Sequence, residues 1–332
     1  MRKIASTSLF LVPCLGAFQS SRALFYIMPY QTGGELFFHL QQAGRFKEHK
    51  ARVYTMQVLL GLEALHEHGI VYRDLKPENV LFTSTGRAQL ADFGLSKFLP
   101  RIGPSAAEPP RRSIFGFRRK KSSSSESKTP PWGRTKTRCG TPAYQCPEVV
   151  EAKEHGLESD WWSFGVLIYE LLVGEPPFLA GEVKALYHVI LNNEVAFPKR
   201  VSEVARSVIS ALLTKNSTKR LGYNGADDVK RHPFFETGEP AWELVEAGEG
   251  CILPFEKAKM GEDRDCCFFH TEFTSEDVRE YIPPMKQALE LASFKPVPDA
   301  AVERFVSDEP IMVVEKIHPA DAQTKMTGPA KE

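Results

Sequence analysis

Apolar residues Val53, Met56, Leu60 and Leu65 recur at helical spacing through residues 48–68, which predicts a long helix with one buried face. Gly69 stands where a left-handed cap would close it. Residues 161–173 are apolar on nearly every face, so a second helix should be buried all round and end at Gly174, before Pro176 and Pro177. Two β-prone runs, 9–18 and 23–30, flank the turn-like Gln19-Ser20-Ser21-Arg22 and predict a hairpin, with Gly33-Gly34 ending that strand region. A shorter hairpin is expected from 80–83 and 88–91 across Ser84-Thr85-Gly86-Arg87. Further helices are expected at 183–191, 204–213 and 227–231; beyond Trp242 the pattern weakens.

Composition narrows the class. The 332 residues are 42% hydrophobic and 25% charged, the make-up of a globular chain. Lys plus Arg and Asp plus Glu both number 42, so no whole-chain field points toward nucleic acid or a membrane surface. No apolar stretch is long enough to span a bilayer. Six cysteines without metal-ligand spacing read as free thiols in a reducing compartment, hence a cytoplasmic or nuclear protein. The opening Met1-Arg2-Lys3 and the apolar run after it also fit a secretory signal. Ser6, Thr7, Ser8 and Pro13 interrupt that run and favour a buried strand. Residues 101–136 differ from the rest: ten Lys or Arg stand against Glu108 and Glu126, with Ser122 to Ser125 among them, and the stretch reads as a mobile basic loop.

The candidate chemistry sits beside the predicted elements. Tyr72-Arg73-Asp74-Leu75-Lys76-Pro77-Glu78-Asn79 follows the long helix, and Asp92-Phe93-Gly94 follows the second hairpin. In this order the pair resembles the catalytic signature of protein kinases, with Tyr72 in place of the commoner His. The resemblance implies transfer of the γ-phosphoryl of ATP with Mg²⁺ as cofactor. Asp74 would then receive the acceptor hydroxyl, Lys76 face the transferred group, and Asn79 and Asp92 hold the metal. The fold it implies is α+β: a mainly helical C-lobe with a remnant of the N-lobe sheet.

Cys139-Gly140-Thr141-Pro142-Ala143-Tyr144-Gln145-Cys146-Pro147-Glu148 resembles the end of a kinase activation loop, and Ser159-Asp160-Trp161-Trp162 the start of the central helix. The Tyr-Arg-Asp variant, the double Trp, Cys-Gly-Thr-Pro and His232-Pro233-Phe234-Phe235 are together similar to the AGC kinases, the cyclic-nucleotide-dependent, protein kinase C and ribosomal S6 kinase group. By that resemblance Glu148 pairs with Arg220, and Asp160 steadies the catalytic loop. Met28 matches the gatekeeper, Pro29 to Gln31 the hinge that holds adenine, and Leu81 the floor of that pocket. Glu35, Glu78 and Glu170 match the positions that face arginines before the phosphoacceptor, so protein substrates with basic residues there are the implied partners. Thr137 matches the activation-loop phosphosite, with Arg73 and Lys97 as its basic holders and an upstream activating kinase as a further partner. Ser122, three residues after Arg119, is an expected phosphosite for this kinase or a basophilic relative.

The resemblance divides the chain into a kinase domain at 9–236, a tail of AGC type at 237–275 carrying Trp242, Pro254-Phe255 and the aromatic run at 268–274, and a flexible tail at 276–332. Within the domain, 9–31 is the N-lobe remnant and hinge, 32–236 the C-lobe, and 101–136 a basic insertion in the activation loop. A glycine-rich loop, a strand lysine and a helix glutamate are expected before the hinge and do not occur upstream of Leu9. The activity of the chain alone is therefore in question, and the alternative reading is an impaired or truncated kinase fragment that acts as a binding or regulatory module. The segment after Cys139 departs from the family as well. Ala143 replaces a glutamate, Cys146 an alanine, and Arg138 and Gln145 stand where the pocket for the residue after the acceptor is normally apolar.

Overall fold

The computed structural model describes residues 8–19, 23–102, 132–236, 240–253 and 311–317. The basic stretch 103–131 with Ser122, the aromatic run of the tail and most of 276–332 lie outside the described residues. The expected α+β class holds, with helices grouped on small antiparallel sheets.

Two helices organise the core. Helix Glu48–His66 (α2 in chain order, after α1 at Leu36–Ala43) carries fourteen buried residues of its nineteen, more than the single face its periodicity predicts. The difference comes from polar residues that find partners inside: Thr55 Oγ1 donates to Ala51 O at 2.9 Å, and Gln57 Oε1 accepts the Ala88 N–H at 2.6 Å. Past α3 (Pro147–Val150), helix α4 (Glu158–Val173) is buried at all sixteen positions, as expected for 161–173, and its polar first turn Glu158-Ser159-Asp160 is buried as well. Trp162 stacks on Phe178 with ring centroids 5.8 Å apart, and Phe164 on Phe235 at 6.2 Å. Each fully buried side chain of this size contributes about 1.5–3 kcal/mol of transfer free energy. Gly174 ends α4 at φ 100°, its N–H returning to Glu170 O.

Around this pair stand α5 (Val183–Asn192), α6 (Glu203–Leu212), α7 (Ala226–Lys230), α8 (Pro233–Glu236) and α9 (Trp242–Glu246). The first three match expectation within a residue or two, and α6 shows the expected start signal, Ser202 Oγ accepting the Ala205 N–H at 3.1 Å. Helix α1 is not legible in the sequence: Glu35 precedes it without a side-chain cap, and only Gly44 at its end punctuates it.

Strands β1 (Gly16–Gln19) and β2 (Ala23–Pro29) form the first hairpin. The run before β1 does not join it. Pro13 lacks a donor for a ladder, and residues 10–12 instead lie along a later strand, Val12 N–H donating to Leu90 O and Leu90 N–H to Phe10 O, both at 2.9 Å. Phe10, Leu11 and Val12 are buried there. Strand β3 (Gly34–Glu35) pairs with β5 (Val80–Phe82), which pairs with β6 (Ala88–Leu90). Between them in sequence, β4 (Ile70–Val71) pairs with β7 (Lys97–Phe98). The remaining strand, β8 (Ile311–Ile317), falls in the stretch read as a flexible tail and runs antiparallel to β2 over seven residues, from Ala23↔Ile317 to Pro29↔Ile311.

The basic insertion leaves and re-enters at one point. Gly133 N–H donates to Pro100 O at 2.7 Å, Arg101 and Trp132 form a bridge, and the Arg101 guanidinium lies 5.9 Å from the Trp132 ring centre.

Pairing with β8 covers one edge of β2 and supplies ladder bonds that water or another chain would otherwise make. Removing residues 311–332 is expected to leave the helical signal intact while the protein self-associates. Circular dichroism and light scattering of the truncated chain check this; an unchanged monomer would contradict it.

Candidate active site

The loop that carries Asp74 is shaped from below by Asp160. This residue lies in the first turn of α4 and is 1% exposed. Its Oδ2 accepts the Tyr72 N–H at 2.8 Å and lies 2.7 Å from His66 Nε2, while Oδ1 accepts the Arg73 N–H at 2.8 Å. Arg73 sits at φ 72°, a conformation that costs a non-glycine residue of order 1 kcal/mol or more and persists where its surroundings hold it. Tyr72 donates its hydroxyl to Ala91 O, joining the loop to the end of β6. Burial, and then the charges of Asp74, Asp92 and Asp160, hold that phenol well above its ordinary pKa, so it stays a donor.

Asp74 is clasped on both oxygens. Asn79, in the 3-10 turn Pro77–Asn79, donates Nδ2 to Asp74 O at 2.8 Å and to Oδ2 at 3.0 Å. Lys76 Nζ lies 3.4 Å from Oδ2. On the other side Thr141 donates its hydroxyl to Oδ1 at 3.0 Å, with its N–H at 3.3 Å. The Ala91 N–H bonds Asn79 O at 2.9 Å, which sets Asp92 beside the same loop. Asp92 takes φ 38°, and its Oδ1 accepts the Gly94 N–H at 3.0 Å. Asp74, Lys76 and Asn79 are thus in mutual contact, and Asp92 follows the residue that bonds their loop.

The amide of Asn79 commits its nitrogen to Asp74 and leaves an oxygen, and Asp92 adds a carboxylate. Among the described residues no group of three His, Cys, Asp or Glu could hold a metal ion. Two oxygen-bearing side chains fit Mg²⁺, which completes its shell with water and phosphate oxygens rather than a protein cage. Beside them, Met28 packs against Val12, Leu81 and Ala91, an apolar patch suited to a flat base. Met28 and Leu81 were expected there and Val12 was not, because its place depends on the pairing of residues 10–12 with β6. Gln31 is buried and donates Nε2 to Pro29 O at 3.4 Å, so that hinge carbonyl already has a side-chain partner.

The three expected acidic residues are not equivalent. Glu170, in α4, is 8% exposed and accepts the hydroxyl of Tyr144. Burial first, with the charge of Glu78 adding, raises its carboxyl to about 7 against the opposing effect of the Tyr144 bond. Glu78 is half-buried within electrostatic range, and Glu35 is buried at the end of β3.

Thr137 is exposed, and Lys97 Nζ donates to it at 3.3 Å and to the buried Thr135 at 2.8 Å. Arg73 donates Nε to Leu95 O at 2.6 Å, while its buried Nη1 has no partner among the described residues. Lys97 and Thr137 are therefore brought together, with Thr135 as an unforeseen third member. Arg220 grips Glu148 through Nη1 at 2.6 Å and Nη2 at 2.9 Å and donates to Glu158 O at 2.9 Å. Burial works to raise the Glu148 carboxyl, but the bonds and charge of Arg220 outweigh it and hold it below the usual range. Sequence reasoning also missed the bonding roles of His66 and Thr141. The first lies 94 positions from its partner, and the second stands inside a quoted motif without a signal for its contact.

A family model described as "Protein kinase domain" matches residues 1–235. The chain is 38% identical over 254 residues to "Protein kinase 2" of Dictyostelium discoideum, covering 76% of this chain and 46% of that protein. It is 38% identical over 267 residues to "Serine/threonine-protein kinase gad8" of Schizosaccharomyces pombe, covering 80% and 41%. With "Protein kinase C-like 1B" of Caenorhabditis elegans the identity is 35% over 278 residues, covering 82% and 35%. The chain spans less than half the length of each of these relatives.

The Arg220 side chain is wholly buried, so replacing it alone strands the Glu148 charge. Arg220→Met is expected to cost about 3–5 kcal/mol of unfolding free energy, and Glu148→Leu in the same chain to recover part of it. Denaturant titration of the single and double variants checks both; a single variant within 1 kcal/mol (about the size of an exposed pair) would contradict the buried ion pair.

Proposed function

The chain belongs to the protein kinase family, among the kinases of AGC type, and on that premise we propose that it transfers the γ-phosphoryl of ATP to serine or threonine in proteins with arginines before the acceptor. One observation carries the reading. Asp74, held by Asn79 and flanked by Lys76, already accepts a threonine hydroxyl, that of Thr141, at 3.0 Å. A substrate hydroxyl in the same relation has its proton directed to a carboxylate and its oxygen turned toward the phosphate.

The rest follows from charge. Phosphoryl transfer asks a protein for position and neutralisation more than for covalent chemistry. Asn79 and Asp92 would hold Mg²⁺, which supplies positive charge at the phosphates. Lys76 adds a cation beside Asp74, and its side chain is 24% exposed, open enough to reach toward a transferred group. The apolar patch of Met28, Val12, Leu81 and Ala91 receives the base. Glu78 and Glu170 receive guanidinium groups ahead of the acceptor, where bidentate pairing is strongest. Thr137 is the site at which an upstream kinase would add a phosphate, beside Lys97. The free thiols Cys14, Cys139, Cys146 and Cys251 support a cytoplasmic or nuclear setting.

Asp74→Asn is expected to lower phosphorylation of an arginine-containing peptide by about 10²-fold or more. Radiolabel transfer measures it, and equal rates would overturn the role given to Asp74. A second expectation concerns pH. With its carboxyl near 7, Glu170 must release a proton before it pairs with arginine in acid solution, whereas above that value it is already ionised. Peptide affinity should therefore strengthen from pH 6 to pH 8, and Glu170→Gln should flatten the profile; fluorescence anisotropy across that range is the measurement.

A further inference from the structure

Arg138 occupies an unusual place. Thr141, three residues on, touches Asp74, and successive Cα atoms in an extended chain are about 3.3–3.6 Å apart along its length, so Arg138 starts within about 11 Å of that contact. The backbone between them has little freedom. Gly140 sits at φ 93°, where a Cβ would come within 2.5 Å of Arg73 O, so this segment is pressed against the catalytic loop. Gln145, 8% exposed, donates Nε2 to the carbonyls of Cys139 at 3.1 Å and Gly140 at 2.9 Å and locks the turn from the other side.

The Arg138 side chain is held as well. Its guanidinium lies 4.7 Å from the centre of the Tyr187 ring on α5, a cation–π contact that orients an exposed charge without neutralising it. Its basic neighbours are spoken for: Arg134 pairs with Glu158, and Lys136 with Glu154 at 3.6 Å. No ion pair among the described residues includes Arg138. A positioned, exposed and unpaired guanidinium thus stands on the segment whose Thr141 touches Asp74. Gln145, the other polar departure on this segment, commits its Nε2 to backbone carbonyls and offers no apolar surface in exchange.

We propose that Arg138 selects substrates with an acidic residue, glutamate or aspartate, immediately after the phosphoacceptor. The proposal rests on the substrate reading above and extends it. Arginines before the acceptor meet Glu78 and Glu170, and a carboxylate after it meets Arg138, so a substrate is read by charges of opposite sign on its two sides. Preorganisation by Tyr187 lowers the ordering cost of the new pair.

The test is fluorescence anisotropy with the full chain and labelled peptides that share their arginines and serine and differ only in the following residue: glutamate, leucine or lysine. A peptide with alanines for the arginines is the control. The glutamate peptide is expected to bind about fivefold more tightly than the leucine peptide, the scale of one well-placed exposed ion pair. That margin should shrink at about 0.5 M salt. Arg138→Leu should bind the two alike, and Arg138→Glu should favour lysine. Equal binding of the glutamate and leucine peptides to the unaltered chain overturns the proposal, as does a glutamate preference that survives Arg138→Glu. If the arginine peptides bind no better than the control, the substrate reading falls and this proposal falls with it.

Discussion

A carboxylate buried in a protein must be met by donors, because stranding it there costs several kcal/mol or more. Asp160 meets that demand with two backbone N–H groups and an imidazole, and in doing so it dictates the path of residues 72 and 73. The left-handed turn at Arg73 is the visible result. From there the order of the site follows without further charge: Tyr72 reaches Ala91, Ala91 reaches Asn79, and Asn79 reaches Asp74. Each bond is worth about 1 kcal/mol alone, but the chain of them converts one buried anion into the placement of two oxygen-bearing side chains and a carboxylate on different loops.

A second buried charge does the same work for the segment that faces the loop. Glu148 and Arg220 fasten the start of α3 to the chain after α6. Between that anchor and the contact of Thr141 with Asp74 lie only a few residues, and they include Tyr144 on Glu170 and Gln145 on the carbonyls of Cys139 and Gly140. This side of the site is thus a short span with both ends tied, and Arg138 lies three residues before its first tie.

The legible parts of the sequence were those with strong local signals. Helix α4 is apolar over most of 161–173 and capped by Gly174; α2 has period and a glycine stop; the candidate catalytic residues lie in short charged loops at the ends of predicted elements. What stayed hidden depends on distant partners. Residues 10–12 look like half of a hairpin until Leu90 is available as a neighbour, and β8 is a strand only because β2 presents an edge nearly three hundred positions earlier. Helix α1 lacks a start signal altogether. His66 reads as a helix-end residue, and nothing in its spacing announces Asp160. Local chemistry was therefore readable where it made its own turn or helix, and unreadable where one segment completes another.

The closure at Pro100 and Gly133 has a consequence for how this architecture tolerates change. Joining the two ends of an excursion costs entropy that grows only with the logarithm of its length, about 0.6 kcal/mol for each doubling. With the ends already bonded to each other and Arg101 resting on Trp132, additions between them are isolated from the segment that carries Thr137 and Thr141. This doorway makes the fold an accommodating host: a reporter domain, a recognition sequence or a longer natural variant spliced between residues 102 and 132 hangs from a closed ring, and the bonds among Asp74, Asn79 and Thr141 need not register its size.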